Sequence, residues 1–238
     1  MRITTRTVSI TATTLLLIAS TLPAQAPSAP PAEAHLADVL RQLDASSAKF
    51  HSAEADFKKD LFQRVVRETT TQTGSIYFQR TAASTQMGAT FNPPDARVVE
   101  FKDGRVRLFD PGANHLTQVD AHSNAAQFET FLTLGFGGSG KDLERTWTIS
   151  DGGSESMSDG DATVKVEKLD LVPKDPNLRN TFTHVTIWVD PTRAVSLKQQ
   201  FFQPSDDVQT ATYTHIRVNQ PINAKRYTIK TNSKTTAS

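Results

Sequence analysis

Residues 74–80 read Gly-Ser-Ile-Tyr-Phe-Gln-Arg. Successive side chains of an extended strand point to opposite faces, so Ile76, Phe78 and Arg80 share one face, an apolar row that ends in a cation. From about Ala53 onward the chain repeats runs of this kind. They are short, rich in Thr, Val and Phe, and separated by turn signals at Gly74, Pro93-Pro94, Asp103-Gly104, Asp110-Pro111-Gly112, Asp151-Gly152-Gly153, Asp159-Gly160 and Asp190-Pro191. The pattern predicts antiparallel β-structure. Upstream, Leu36, Val39, Leu40, Leu43 and Phe50 recur at helical spacing and predict one amphipathic helix. Between the strand groups, Phe128, Phe131 and Leu132 stand at i, i+3 and i+4 and predict a short second helix over 124–134. With no internal repeat, the reading is a single, mainly β domain with a few short α-helices.

Outside this block the chain reads differently. The first 26 residues carry Arg2 and Arg6, an apolar run around Leu15 to Ile18, and the small-x-small pattern Ala24-Gln25-Ala26. This is the pattern of a secretory signal peptide, with cleavage after Ala26 or close by. Residues 27–32 read as a linker, 33–230 as the domain, and 231–238 as a polar tail. A chain of 238 residues suits one domain. Its 26 Lys and Arg stand against 25 Asp and Glu, and the leader holds two cations and no acid. The exported chain is therefore close to neutral, which argues against nucleic acid as a partner, because such binding needs clustered cations. The absence of cysteine excludes a disulfide framework, a thiolate metal site, a cysteine nucleophile and a lipid-modified amino-terminal cysteine. No other segment approaches the ~18 continuous apolar residues of a membrane span. The expectation is a soluble, extracytoplasmic protein, monomeric.

Several tempting motifs fail on context. Gly135-Phe136-Gly137-Gly138-Ser139-Gly140-Lys141 matches both GxGxxG and GxxxxGK. Each needs a strand before it and a helix after it, so that backbone amides at the helix start point at phosphate. Here a helical pattern precedes and the alternating Thr146-Trp147-Thr148-Ile149 follows, while Asp142 stands where a magnesium-binding hydroxyl belongs. A flexible glycine loop is the simpler reading. The six histidines (His35, His51, His115, His122, His184 and His215) show no HExxH pair for zinc, and no GxSxG elbow raises a serine nucleophile. They read as solvated loop histidines. Neither a metal, a cofactor nor a catalytic residue is expected, and the chain does not read as an enzyme.

What remains is an excess of large apolar residues, with 13 Phe and 2 Trp spread through strands. A sheet that closes only partly, with Phe on its concave face and helices across the mouth, would form an apolar cavity of the kind barrels use for ligands. The same residues could instead fill a solid core, which composition alone favours.

The order of signals resembles the LolA family of periplasmic lipoprotein carriers. Phe50-His51-Ser52-Ala53-Glu54-Ala55-Asp56-Phe57 is similar to that family's start of the first strand, and residues 74–80 to its next strand. Pro94 with Val98-Val99-Glu100-Phe101-Lys102-Asp103-Gly104 follows, then Leu108-Phe109-Asp110-Pro111 and Leu171-Val172-Pro173-Lys174. Ile187-Trp188-Val189-Asp190-Pro191 and Tyr213 to Asn219 complete the series.

The resemblance implies an open, unclosed antiparallel β-barrel capped by a few short helices, whose hollow accepts the acyl chains of lipoproteins. It also implies an inner-membrane ABC-type release complex and an outer-membrane acceptor as partners. The candidate lining is Phe57, Ile76, Phe78, Val99, Leu108 and Trp188, with Phe128, Phe131 and Leu132 from a lid. Arg80 corresponds to an arginine that donates hydrogen bonds to lid carbonyls, although a strand-end arginine more commonly reaches solvent or a carboxylate. One departure stands out: Thr81-Ala82-Ala83-Ser84-Thr85-Gln86 is polar where the family carries proline and bulky apolar residues implicated in handover. A lipid-binding sensor or interaction module on the same fold is the alternative expectation.

Overall fold

The computed structural model describes residues 31–81, 85–120 and 134–238. The expected signal peptide, most of the linker, residues 82–84 of the polar stretch, and the lid candidates Phe128, Phe131 and Leu132 lie outside the described residues.

Twelve strands form one sheet. In chain order they are β1 (Ser52–Gln63), β2 (Glu68–Arg80), β3 (Thr85–Phe91), β4 (Arg97–Lys102), β5 (Arg105–Asp110), β6 (His115–Asp120), β7 (Trp147–Asp159), β8 (Ala162–Pro173), β9 (His184–Asp190), β10 (Val195–Phe202), β11 (Val208–Val218) and β12 (Thr236–Ala237). In space they run β12-β6-β5-β4-β3-β2-β1-β11-β10-β9-β8-β7, with no ladder joining β7 to β12. The sheet is therefore open. Every pairing is antiparallel except the parallel β12–β6 contact, which places a strand inside the stretch read as a polar tail.

Most turn signals do what their chemistry suggests. Asp103 and Gly104 both take positive φ, 51° and 70°, as a two-residue hairpin requires. The Asp110 carboxylate accepts from the amides of Gly112 and Ala113 in the β5–β6 turn. Two signals were misleading. Asp151-Gly152-Gly153 lies within β7, where the register shifts between Asp151 and Ser154, so it is a bulge rather than a turn. Gly74 lies within β2, where a Cβ would fall 2.0 Å from the Thr90 carbonyl oxygen and 2.8 Å from the Phe57 ring. Its role is close approach, which a strand glycine serves as well as a turn does.

The amphipathic helix is α1 (Pro31–Ser47); it starts within the expected linker and ends before Phe50. Proline suits the first helical turn, whose amides lack intrahelical partners. The buried stripe Val39, Leu40 and Leu43 packs with Leu143 of α2 (Gly140–Thr146), with Trp147, and with Leu169, Leu171, Val185 and Ile187 of the sheet. A third, single-turn helix, α3 (Pro176–Arg179), joins β8 to β9.

The same helix α1 is tied to the sheet electrostatically. His35 places Nδ1 2.8 Å from Asp151 and Nε2 3.3 Å from Glu167, so it is not the solvated histidine that its sequence context suggested. The hydrogen bond to Asp151 and the two nearby carboxylates raise the His35 pKa above its ordinary 6.5 against the opposing effect of burial. Burial works against the charge of Asp151, but the Gly153 amide and His35 outweigh it and hold its pKa below the usual range.

Because the folded-state pKa of His35 is raised, its contribution is complete below about pH 6.5 and fades as pH rises through the folded value. The ring is 35% exposed, so the contribution is at most about 1 kcal/mol. Thermal melts across pH should show the wild type losing its advantage over His35→Gln in that alkaline direction; a constant difference would remove the pH-sensitive tie.

Candidate functional site

The registers of β1 to β5 set the inner face in rows. One row is Ala53, Phe78, Met87 and Phe101; the next is Ala55, Ile76, Ala89, Val99 and Leu108; the third is Phe57, Gly74 and Phe91. On the other side of β1, Tyr213 pairs with Phe57 and Ala211 with Lys59, and Gln199 follows on β10. Between these strands lies a hollow of about 220 Å³, lined by Phe57, Ile76, Phe78, Phe91, Phe136 and Tyr213 among others. Phe57 meets Phe91 edge-on at 5.1 Å.

One wall of this hollow does not come from a strand of the main sheet. The segment 135–137 runs beside the start of β10, where Gly137 N donates to Ala194 O at 2.7 Å and Ser196 N to Gly135 O at 2.5 Å. That pairing aims Phe136 inward, stacked on Phe78 at 4.4 Å and edge-on to Tyr213 at 4.9 Å. The glycines around Phe136 allow the loop to approach its neighbours. Gly137 has φ +76°, and a Cβ there would lie 2.3 Å from the Phe50 ring.

The phosphate-loop motif thus resolves into packing. A short helix, α2, does follow the loop, contrary to the extended continuation expected from Thr146 to Ile149. Its amides are already committed within the protein: Asp142 N donates to Ser139 Oγ, the helix cap, and Lys141 N to Asp44 Oδ1.

At the end of β2, Arg80 reaches this loop. Its Nη1 donates to the Ser47 carbonyl at 2.8 Å and its Nη2 to the Gly137 carbonyl at 2.6 Å, with the guanidinium carbon 5.7 Å from the Phe50 ring centre. Ser47 Oγ also donates to Gly137 O, at 2.6 Å. Ser47 lies in the last turn of α1, where carbonyls lack intrahelical partners and a cation is favoured. One guanidinium therefore joins β2, the helix end and the Phe136 loop. Among the described residues it meets backbone carbonyls and not a carboxylate.

Of the candidate lining residues, Phe57, Ile76 and Phe78 face the hollow. Val99 and Leu108 continue the Ile76 row on β4 and β5, beyond the lining. Trp188 is a correction: it pairs with Lys168 and Lys198, whereas Ile187 pairs with Gln199, so alternation turns Trp188 to the opposite face. There both ammonium groups lie over its ring, at 5.5 and 4.2 Å. Phe91 and Met87 were missed because Thr85–Phe91 reads as polar, although its alternate residues are Met87, Ala89 and Phe91. Phe136 was missed because flanking glycines concealed a buried anchor. Deep in the hollow, the Tyr213 hydroxyl donates to Gln199 Oε1 at 3.2 Å, and burial pushes the phenol pKa up. Among the described residues no three His, Asp or Glu side chains are grouped to hold a metal ion.

No protein-family model and no curated protein sequence matches the chain. Solved structures do. An uncharacterised conserved protein from Thermus thermophilus aligns at 9% identity over 86% of this chain and 98% of its own, with a TM-score of 0.52. The complex of Pseudomonas aeruginosa MucA and MucB aligns at 13% identity over 82% of this chain and 61% of its own, with a TM-score of 0.53. A LolA superfamily protein from Nitrosomonas europaea aligns more loosely, at 11% identity over 82% of this chain and 97% of its own, with a TM-score of 0.39. The expected mainly β, open sheet capped by helices is the fold observed. The chain spans about three-fifths of the MucA/MucB chain it matches.

Gly137→Ala should cost about 2–4 kcal/mol, combining left-handed strain with collision against Phe50. Gly153→Ala, at φ +83° with open space around it, should cost only about 1–2 kcal/mol. Urea denaturation of both variants checks the difference; equal losses would mean that the Phe136 loop is not held closely against Phe50.

Proposed function

We propose that this chain is a periplasmic carrier that takes acyl chains of lipoproteins into the hollow and ferries them from the inner to the outer membrane. In this reading an ABC-type release complex of the inner membrane supplies the cargo and an outer-membrane acceptor receives it. The carrier performs no chemistry. The observation that carries the reading is an apolar hollow whose aromatic wall, Phe136, stands on a loop held by Arg80. Each methylene removed from water contributes ~0.8 kcal/mol, so an acyl anchor crosses an aqueous compartment only inside an apolar lining. A carrier must also let go. Bonds from Arg80 to Ser47 and Gly137 stabilise the arrangement in which Phe136 fills the hollow, and any cargo that displaces Phe136 competes with them.

A second reading, a sensor or interaction module, has its own support. A solved structure that shares the fold is a complex between MucA and MucB. In addition, Thr81, Thr85 and Gln86 are polar where the LolA family has apolar groups for handover. Depleting the protein and fractionating the membranes separates the two. A carrier leaves lipoproteins stranded on the inner membrane, whereas an interaction module leaves their sorting intact and co-purifies with a partner protein.

Arg80→Leu removes two charge-assisted hydrogen bonds and should shift the latched arrangement by ~1–3 kcal/mol towards an open one. Dissociation of a fluorescent acyl probe, measured by stopped flow, should then slow by about tenfold or more. An unchanged off-rate in a folded variant would reduce Arg80 to a structural strand-end residue.

A further inference from the structure

The two ends of the hollow differ in chemistry. Arg80 closes one end through backbone carbonyls. At the other, the wall passes from Phe57, Phe91 and Phe201 to the side chain of Lys59. Lys59 follows Phe57 by two residues and so shares its face, and Arg97 pairs with Phe91 across β3 and β4. The Arg97 guanidinium carbon lies 5.7 Å from the Phe91 ring centre. Two cations thus stand beside the same apolar wall.

Among the described residues no carboxylate lies within ion-pair distance of Lys59 or Arg97. Nearby surface cations do have partners: Lys58 meets Asp60 at 2.8 Å, Arg64 meets Asp206 at 2.5 Å, and Arg107 meets Glu100 at 2.9 Å. Burial pushes the Lys59 pKa down, and the charge of Arg97 pushes it further. An ammonium drawn partly out of water beside a second cation is a costly arrangement that an incoming anion would relieve. The size of the hollow adds a second limit. About 220 Å³ lies below the ~300–1,000 Å³ of sites for drug-sized ligands, so that a single hydrocarbon tail already has to displace Phe136 and a second has no room.

We propose that the hollow takes an amphiphile with a single acyl tail and a compact anionic head, a carboxylate or a phosphate, with the head held between Lys59 and Arg97 and the tail running past Phe57 and Ile76 towards Phe136. The proposal rests on the acyl-binding part of the reading above and sets a single-tailed anionic amphiphile beside lipoproteins as a guest of the hollow. The head supplies the counter-charge that the described protein lacks at this mouth, and the tail takes the apolar wall. Specificity then resides at the rim, because the wall accepts any hydrocarbon while only an anion satisfies the two cations.

Palmitate, palmitoyl lysophosphatidate and neutral monopalmitoylglycerol can be titrated separately against a bound fluorescent apolar probe on the full chain. Both anions, or one of them, should displace the probe at about tenfold lower concentration than the neutral glyceride. Preference for palmitate assigns the head as a carboxylate, and preference for lysophosphatidate assigns it as a phosphate. Lys59→Met combined with Arg97→Gln should bring the anion-to-neutral ratio close to one, whereas Lys59→Arg, which keeps the charge, should retain it. High salt should narrow the wild-type ratio. Equal binding of neutral and anionic ligands by the wild type, or a preference that survives in the folded double variant, overturns the proposal while leaving acyl binding intact. Binding of none of the three overturns both.

Discussion

Because β7 and β12 never pair with each other, the sheet has a concave face that hydrogen bonding alone does not enclose. Its apolar residues must be covered by side chains brought from elsewhere, and the helices and loops follow from that requirement. α1 and α2 cover one half of the face and form a solid core with Leu169, Leu171, Val185 and Ile187. Over the other half, among the described residues, the cover includes one ring, Phe136, on a loop clamped by hydrogen bonds. The two halves differ in how readily their cover can be removed. A helix stripe of Val39, Leu40 and Leu43 leaves only by exposing a large apolar area, whereas the loop is held by Arg80 and Ser47 on the Gly137 carbonyl, by two backbone bonds to the start of β10 and by one aromatic ring.

That contrast accounts for what could be read from the sequence. Periodicity identified α1 and the strand character of most of the chain, because burial of one face leaves a direct imprint on residue order. It also identified Ile76, Phe78 and Arg80 as a shared face, since alternation in β2 is unbroken up to Arg80. It failed where the chain departs from simple alternation or where long-range contacts decide. Trp188 faces away because its neighbours Lys168 and Lys198 come from strands whose register no local pattern reports. Phe136 became a wall residue only through pairing with Val195, far along the chain. The glycines of 135–140 looked like a phosphate cradle because close approach to a helix and close approach to phosphate place the same demand on the backbone. Contacts with Leu40 and Phe50 distinguish the two.

Charge is distributed with similar economy. Buried carboxylates on the body of the sheet have partners: Glu54 accepts from the Tyr227 hydroxyl at 2.6 Å, and Asp159 meets Arg193 at 2.8 Å. Such pairs fix the positions of strands and turns, because removal of either member leaves a desolvated charge behind. The cations at the mouth of the hollow follow a different rule. Among the described residues Lys59 and Arg97 meet no carboxylate, and the proposed anionic head would supply the counter-charge.

The parallel contact between β12 and β6 has a consequence for the behaviour of an open sheet in a crowded compartment. An unpaired strand edge is a template for any extended peptide, and a sheet with two such edges invites fibrous growth. Here one edge is capped by residues of the same chain: Ser238 N donates to Leu116 O, and Gln118 N donates to Ser238 O. The opposite edge, β7, is interrupted by the irregular register at Asp151 to Ser154 and bears mostly Ser, Asp and Glu. Both margins are therefore poor seeds for strand addition. The molecule can leave its sheet unclosed along one side without offering a free strand edge for another chain to extend.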